Sequence, residues 1–199
     1  MPALVVASGN PGKVAEVEAV LAPGGFTVIS IDAIRPGPAI DETASTFEGN
    51  ARLKAEGYSL RTPHVVLADD SGLEVDALGG GPGVLSARYG GPELTDPERC
   101  TAILQALADT PDGERAARFR CVLALAQQGR TLATFDGVVT GTILRAPRGV
   151  HGFGYDPIFF HPPSGCAFGE LTRAQKELVS HRGQALRKML AALRRREVS

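Results

Sequence analysis

Two adjacent carboxylates in the first half of the chain are the residues best suited to chemistry. Asp69 and Asp70 end the apolar run that begins at His64, and Ser71-Gly72 follows them. An apolar run closed by Ser-Gly is typical of a buried strand that leads into a turn. Neighbouring carboxylates repel each other unless a cation or strong hydrogen-bond donors lie between them. Such a pair would suit Mg²⁺ together with a phosphate-bearing substrate.

The same residues also fit a structural alternative, an ordinary polar turn, because Asp, Ser and Gly are common turn formers. Taken alone, the segment favours that alternative. The chemical interpretation becomes stronger because four other polar clusters, with complementary chemistry, occur elsewhere in the chain.

The first of these clusters joins a predicted strand to a predicted helix near the start of the chain. It consists of Ser8, Gly9, Asn10, Pro11, Gly12 and Lys13. Backbone amides at a helix N-terminus bind anions, and the lysine would add a positive charge. The segment is not a Walker A loop, since Ala7 and Val14 stand where that motif needs Gly and Ser or Thr. It predicts either a phosphate-binding loop or a tight turn with a surface lysine.

The second cluster lies around the start of a predicted helix near Thr46. Glu42 stands just before this helix, so its carboxylate could share a metal ion with Asp70. Asn50 and Lys54 are four residues apart and would lie on one helix face. The alternative is an acidic residue near the helix start and a solvated helix face.

The last two clusters could bind a planar, hydrogen-bonding group. In the segment from Gly152 to Pro157 a phenylalanine stands between two glycines, and such a ring can stack on a base for about 1–3 kcal/mol. Lys176 and the segment Ser180–Arg182 offer many donors and few acceptors. The alternatives are a loop anchored by its aromatic ring and a capped helix with exposed basic residues.

The elements that must position these clusters alternate between strand and helix early in the chain and are richer in strands in the middle. This order predicts an α/β fold with a mixed sheet rather than a purely parallel one. Internal repeats and a clear interdomain linker are absent from the sequence, so residues 1–199 are predicted to form a single domain.

Composition excludes several classes of protein. The 199 residues carry a formal net charge of −1, which leaves no general basic field for a nucleic-acid polymer. Three widely spaced cysteines predict reduced thiols and a cytoplasmic location. The N-terminal residues lack the pattern of a signal peptide, and no segment is long and apolar enough to predict a membrane span.

Taken in order, the clusters closely resemble the inosine triphosphate pyrophosphatase family. The matching segments run from the first strand to the last helix: 7–13, Glu42-Thr43, 46–47, 50–51, 68–78, 82–83, 86–89, 152–159 and 180–182. One such segment would be weak support, but the whole series in this order is highly specific. Leu85 departs from the family pattern, in which Tyr usually precedes Ser-Ala-Arg-Tyr.

The resemblance implies Mg²⁺-dependent cleavage of ITP, dITP or XTP to the monophosphate and pyrophosphate. It also implies a homodimer and an elongated two-lobed α/β fold, a mixed sheet flanked by helices with the active site in the cleft. Glu42 and Asp70 would bind the metal, and Asp70 would be the catalytic base, although Asp69 is close enough to take that role. The residues implied in substrate binding are Ser8, Gly9, Asn10, Pro11, Gly12, Lys13, Ser71, Phe153, Gly154, Tyr155, Asp156, Lys176, His181 and Arg182.

The donor-rich residues suggest how the base would be selected. Hypoxanthine and xanthine carry a 6-keto acceptor where adenine carries an amino donor, so donors from Lys176 and Arg182 would favour the keto base. Two alternatives remain open. One is a pyrophosphatase of similar fold, of the septum-inhibitor type, that acts on pyrimidine or modified nucleotides; the other is a nucleotide sensor without turnover.

Overall fold

The structure is a computed structural model that describes residues 3–195. Its strands are β1 (Ala3–Val6), β2 (Thr27–Ser30), β3 (Val65–Val75), β4 (Ala116–Gln127), β5 (Arg130–Ile143), β6 (Phe159–His161) and β7 (Cys166–Ala167). Its α-helices are α1 (Pro11–Leu21), α2 (Phe47–Ser59), α3 (Asp96–Ala106), α4 (Arg173–Val179) and α5 (His181–Arg195). None of the helices in this described range is long and apolar enough to cross a lipid bilayer.

The strands form one seven-stranded sheet in the order β2-β1-β3-β4-β5-β6-β7. β1 pairs in parallel with both β2 and β3, whereas β6 pairs antiparallel with β5 and with β7. Gln128 and Gly129 connect β4 to β5 with positive φ angles of 51° and 78°, as a tight hairpin turn requires. The predicted mixed α/β sheet flanked by helices is therefore confirmed.

The chain divides into two compact units. Among the described residues, unit 1 comprises 3–70, 121–137 and 181–195. Its core contains α1 and α5, which pack against each other, together with apolar side chains of β1, β3 and β4. The apolar faces of the helices and strands pack together in this core. Its fully or almost fully buried leucines are Leu21, Leu67, Leu123 and Leu186.

Unit 2 comprises residues 71–120 and 138–180. Its core contains an aromatic cluster in which the ring of Phe119 lies 4.6 Å from that of Phe159 and 5.9 Å from that of Phe168. Buried Arg115 is accommodated nearby because its guanidinium donates to the backbone carbonyls of Leu107, Ile143 and Leu144. These bonds satisfy a charged group that would otherwise be costly to bury.

The predicted turn at Asp69–Gly72 is wrong, because β3 continues through these residues to Val75. A Cβ atom at Gly72 would overlap the Ser86 side chain and the Gly83 carbonyl. The hydroxyl of Ser86 accepts a hydrogen bond from the Leu73 amide at 2.9 Å. The glycine thus serves close packing of residues 83–86 on a strand rather than a reversal of the chain.

Candidate active site

The loop between β1 and α1 is shaped by Asn10, which caps the helix. Its Oδ1 accepts hydrogen bonds from the amides of Gly12, at 2.9 Å, and Lys13, at 3.2 Å. The Asn10 amide in turn donates to the Ser8 hydroxyl at 3.2 Å. Pro11 opens the helix, a position where the missing N–H costs nothing. The predicted strand–loop–helix arrangement is confirmed, and it fixes the backbone from which the Lys13 side chain extends.

Asp69 is held by two cations inside unit 1. Its carboxylate lies 3.1 Å from Lys13 Nζ and 3.0 Å from Arg182 Nη2. Burial alone would raise the pKa of Asp69, but the charges of Lys13 and Arg182 outweigh burial and hold the pKa far below its ordinary value. Asp69 is therefore a poor proton acceptor at neutral pH.

Arg182 is fully buried, and its guanidinium contacts a second carboxylate, that of Glu16 on α1. Burial acts to lower the pKa of Arg182, but Asp69 and Glu16 raise it. Glu16 is a residue that sequence reasoning missed. The sequence marks it only as a polar position on a helix that buries its apolar face, and its partner lies 166 positions away.

Asp70, the next residue of the same strand, has different partners. Asn50 Nδ2 donates to its Oδ2 at 3.2 Å, and Lys54 Nζ lies 3.6 Å from its Oδ1. Burial and the nearby charge of Glu42 raise the pKa of Asp70, against the lowering effect of Lys54. Successive side chains of a strand point to opposite faces, which explains why the adjacent carboxylates have different nearest partners, although the charges of Lys13 and Lys54 act on both.

Helix α2 supplies the partners of Asp70. Thr46 caps this helix by accepting a hydrogen bond from the Gly49 amide at 3.1 Å. One turn later, Asn50 Oδ1 accepts from the Ala44 amide at 2.9 Å, which ties the preceding loop to the helix. That loop carries Glu42, whose Oε1 lies 3.1 Å from Lys54 Nζ. The predicted shared face of Asn50 and Lys54 is therefore confirmed, and it holds Glu42 and Asp70 around one cation.

These residues fit the metal that the sequence predicts. The Lys54 ammonium contacts both Glu42 and Asp70, so a positive charge already stands where the two carboxylates converge. Mg²⁺ is commonly bound by one or two carboxylates together with substrate phosphates and water. Within residues 3–195, no group of three or more His, Cys, Asp and Glu side chains could hold a metal ion. The carboxylate pair would suit a metal whose other ligands are phosphate oxygens and water.

In unit 2, the predicted aromatic loop forms a compact group with Lys176 of α4. Lys176 Nζ lies 4.4 Å from the centroid of the Phe153 ring and 2.6 Å from Asp156 Oδ2. The same Asp156 oxygen accepts a hydrogen bond from the Phe153 amide at 2.9 Å. Gly152, with φ +77°, has no room for a Cβ beside that carboxylate. The loop therefore presents Phe153 in a fixed orientation with a cation over its ring.

Helix α3 anchors this loop through two residues that sequence reasoning missed as site residues. The Gly154 amide donates to Asp96 Oδ2 at 2.7 Å, and the Cys100 thiol donates to the Gly154 carbonyl at 3.4 Å. Burial, followed by the charges of Asp96 and Asp156, raises the pKa of Cys100 to about 12, which keeps the thiol protonated. The Thr95–Glu98 capping pattern predicts the start of this helix but gives no signal of its contact with residue 154.

Three further predicted site residues are Tyr155, His181 and Ser71. Tyr155 is buried, and its hydroxyl donates to the Ser86 carbonyl at 2.8 Å. His181 is buried at the first position of α5, and Ser71 is half-buried in β3. Their roles in substrate binding stay predictions.

The residues predicted for the site are distributed over both units. Unit 1 contains the loop 8–13, Glu42, Asp70, His181 and Arg182, and unit 2 contains Ser71, 153–156 and Lys176. Within unit 1 the contacts bring together the loop lysine, both aspartates, Glu42 and Arg182. Within unit 2 they bring together Phe153, Asp156 and Lys176.

Comparison with known proteins decides the family. The sequence model of the Ham1 family matches residues 4–192. The chain belongs to the Ham1 family. A dITP/XTP pyrophosphatase of Exiguobacterium sp. strain AT1b is 48% identical over 190 residues, which cover 96% of each chain. A dITP/XTP pyrophosphatase of Yersinia pestis is 47% identical over 196 residues, covering 98% of this chain and 99% of that protein.

Solved structures of Ham1 proteins show the same fold. A HAM1 protein from Coxiella burnetii superposes with a TM-score of 0.87 at 40% identity, covering 98% of this chain and 100% of that one. The Ham1 protein of Staphylococcus aureus gives a TM-score of 0.86 at 38% identity, covering 96% of this chain and 98% of that one. The resemblance identified from the sequence motifs is thereby confirmed.

Proposed function

We propose that this chain hydrolyses dITP, ITP and XTP to the corresponding monophosphate and pyrophosphate, and so removes aberrant purine nucleotides from the nucleotide pool. The relatives named dITP/XTP pyrophosphatase match it at 47–48% identity over nearly its whole length. The observation that carries the proposal is the pair of adjacent carboxylates, Asp69 and Asp70, whose pKa values are shifted in opposite directions. The cations around this pair are Lys13, Lys54 and Arg182. Cations and acids in this density suit a polyanionic substrate and the activation of water.

The reaction is attack of water on the α-phosphorus. A bond forms between the water oxygen and phosphorus, the bond from phosphorus to the α–β bridging oxygen breaks, and pyrophosphate leaves with that oxygen. The water proton passes to Asp70. Burial and Glu42 raise the pKa of this carboxyl group, which makes Asp70 a better proton acceptor than its neighbour.

Asp69 has a different role in this proposal. Its two cationic partners lower its proton affinity, so it is assigned to fix Lys13 and Arg182 rather than to take a proton. Lys13, at the start of α1, is assigned to the phosphates together with the loop 8–13. An anion at this helix end would compete with the Asn10 side chain for the amides of Gly12 and Lys13.

Mg²⁺ is the cofactor of this proposal. Glu42 and Asp70 would hold it, and it would neutralise phosphate charge and stabilise the negative charge that develops on the leaving pyrophosphate. The fit of the two carboxylates around a cation supports this assignment.

Phe153 is assigned to the base. Lys176 covers part of its ring, so a purine would stack on the opposite face. To donate to a 6-keto oxygen, Lys176 must exchange a contact with the ring or with Asp156 for one with the base. Arg182 would have to leave Glu16 or Asp69 in the same way. Reading of the base by these two cations stays a prediction, as do the homodimer and the cytoplasmic location.

The experiment is product analysis by ion-exchange chromatography on a panel of nucleoside triphosphates with Mg²⁺. We expect dITP, ITP and XTP to give monophosphate and pyrophosphate in equal amounts, with much slower turnover of dATP and dGTP. Release of orthophosphate, or preference for a pyrimidine nucleotide, would contradict the proposal. Tight binding of dITP without turnover would indicate a sensor and would also contradict it.

A further inference from the structure

Lys54 occupies an unusual position for a surface-helix lysine. Its side chain is almost completely buried, and its Nζ lies 3.1 Å from Glu42 Oε1 and 3.6 Å from Asp70 Oδ1. These two carboxylates, called the acid pair below, are the residues assigned to the metal. The ammonium therefore occupies the place at which a divalent cation would be held.

We propose that Lys54 is an internal counter-ion that keeps the acid pair closed to divalent metal until a nucleotide is bound. This inference rests on the proposed function, because it concerns the order in which metal and nucleotide enter that site. An ammonium group and a divalent cation repel each other, so close contact of both with the same two carboxylates is unfavourable. The free protein would therefore bind metal weakly, and the metal would enter together with the triphosphate.

The triphosphate provides the reason for Lys54 to move. Lysine carries a compact charge on a flexible stem, so its ammonium can turn from the acid pair to an incoming phosphate. The phosphate then receives the positive charge, and the carboxylates become available to the metal at the same moment.

The Asp70 carboxylate and the loop that carries Glu42 are held by a residue other than Lys54. Asn50 donates to Asp70 Oδ2 at 3.2 Å and accepts from the Ala44 amide at 2.9 Å. It thereby fixes both Asp70 and the loop that carries Glu42. Removal of the ammonium should leave Asp70 in place and Glu42 on a tethered loop within reach of the same ion, which is the condition for metal binding.

The test is the affinity of the nucleotide-free protein for Mn²⁺, measured by electron paramagnetic resonance of the unbound ion. Lys54→Met keeps most of the stem and removes the charge, and we expect it to bind Mn²⁺ at least tenfold more tightly than the unaltered protein. Arg52→Met is the matched control, because Arg52 lies on the same helix and pairs with exposed Glu48. The control should bind Mn²⁺ as the unaltered protein does.

A second measurement locates the ion and keeps the inference testable if Lys54→Met folds poorly. The unaltered protein should bind Mn²⁺ at least tenfold more tightly when a non-hydrolysable α,β-imido analogue of dITP is present, after correction for Mn²⁺ held by the analogue alone. In folded Lys54→Met protein, adding Asp70→Asn should abolish the tight binding.

Equal Mn²⁺ affinity in the unaltered protein and folded Lys54→Met would overturn the inference. So would tight binding by the unaltered protein without nucleotide. Because the first comparison is made without substrate, it is independent of turnover. If dITP is hydrolysed while these affinities are equal, only the inference fails; if dITP is not hydrolysed, the proposed function fails.

Discussion

Asp69 and Asp70 are adjacent in β3, yet replacing Asp69 by Asn should destabilise the protein and replacing Asp70 by Asn should not. Asp69 is the buried carboxylate that holds Lys13 at 3.1 Å and Arg182 at 3.0 Å. The substitution Asp69→Asn would leave these two cations without that negative charge. Breaking a buried ion pair by removing one partner costs about 3–5 kcal/mol.

That cost is large enough to measure directly. With a urea m-value of about 2 kcal/mol/M, a loss of about 3–5 kcal/mol lowers the unfolding midpoint by about 1.5–2.5 M. The chain contains no tryptophan, so far-UV circular dichroism is the appropriate signal. Because Arg182 keeps its contact with Glu16 in Asp69→Asn, we expect a loss of stability at the lower end of this range.

Asp70→Asn should leave the urea midpoint unchanged or raise it. The pKa of Asp70 is raised by burial and by Glu42, so its charged form costs stability in the folded protein at neutral pH. A neutral amide of the same shape removes that cost. Equal losses of stability in the two variants would refute the distinction between the carboxylates.

The stability that Asp69 contributes should decrease as the pH is lowered. The depressed pKa of Asp69 gives a stabilising contribution that is fully present above its unfolded value of about 3.9 and is lost as the pH falls towards the folded value. The urea midpoints of the unaltered protein and Asp69→Asn should therefore approach each other in strong acid. A difference that stays constant from pH 7 to pH 3 would argue against an electrostatic origin.

Three further variants test neighbouring assignments. Phe153→Leu should raise KM for dITP about 5- to 150-fold with little change in kcat, since base stacking contributes about 1–3 kcal/mol. Steady-state kinetics would detect this change, and an unchanged KM would show that the ring does not contact the base. Tyr155→Phe should cost about 1 kcal/mol in urea unfolding through loss of the hydrogen bond to Ser86, and a large fall in kcat would instead indicate contact with substrate. Glu16→Gln should lower the urea midpoint less than Asp69→Asn does, because Lys13 and Arg182 keep Asp69; a larger loss would assign the main stabilising role to Glu16.

Features set by local chemistry could be predicted from the sequence. Asn10-Pro11 marks the start of α1 because an Asn cap and a proline in the first turn act through neighbouring residues. The alternation of strand and helix likewise predicts the mixed sheet. The Asp69–Gly72 turn was wrong because local turn preference was outweighed by buried ion pairs and by the packing of Ser86, neither of which is visible in the segment itself.

Features set by distant partners could not be predicted. The sequence shows two equivalent aspartates, but Asp69 pairs with a guanidinium 113 positions away whereas Asp70 faces α2. The burial of Glu16 depends on the same distant arginine. A carboxylate's pKa follows from these partners and from burial, so the division of roles between the aspartates required the fold.

Turnover of dITP by Asp70→Asn, with Mg²⁺ and saturating substrate, tests the central claim most directly. Loss of a positioned general base lowers the rate about 10²- to 10⁴-fold. We predict a fall in kcat within that range in a variant whose circular dichroism spectrum and urea midpoint show an intact fold. A folded Asp70→Asn protein with kcat within tenfold of the unaltered protein would contradict the account.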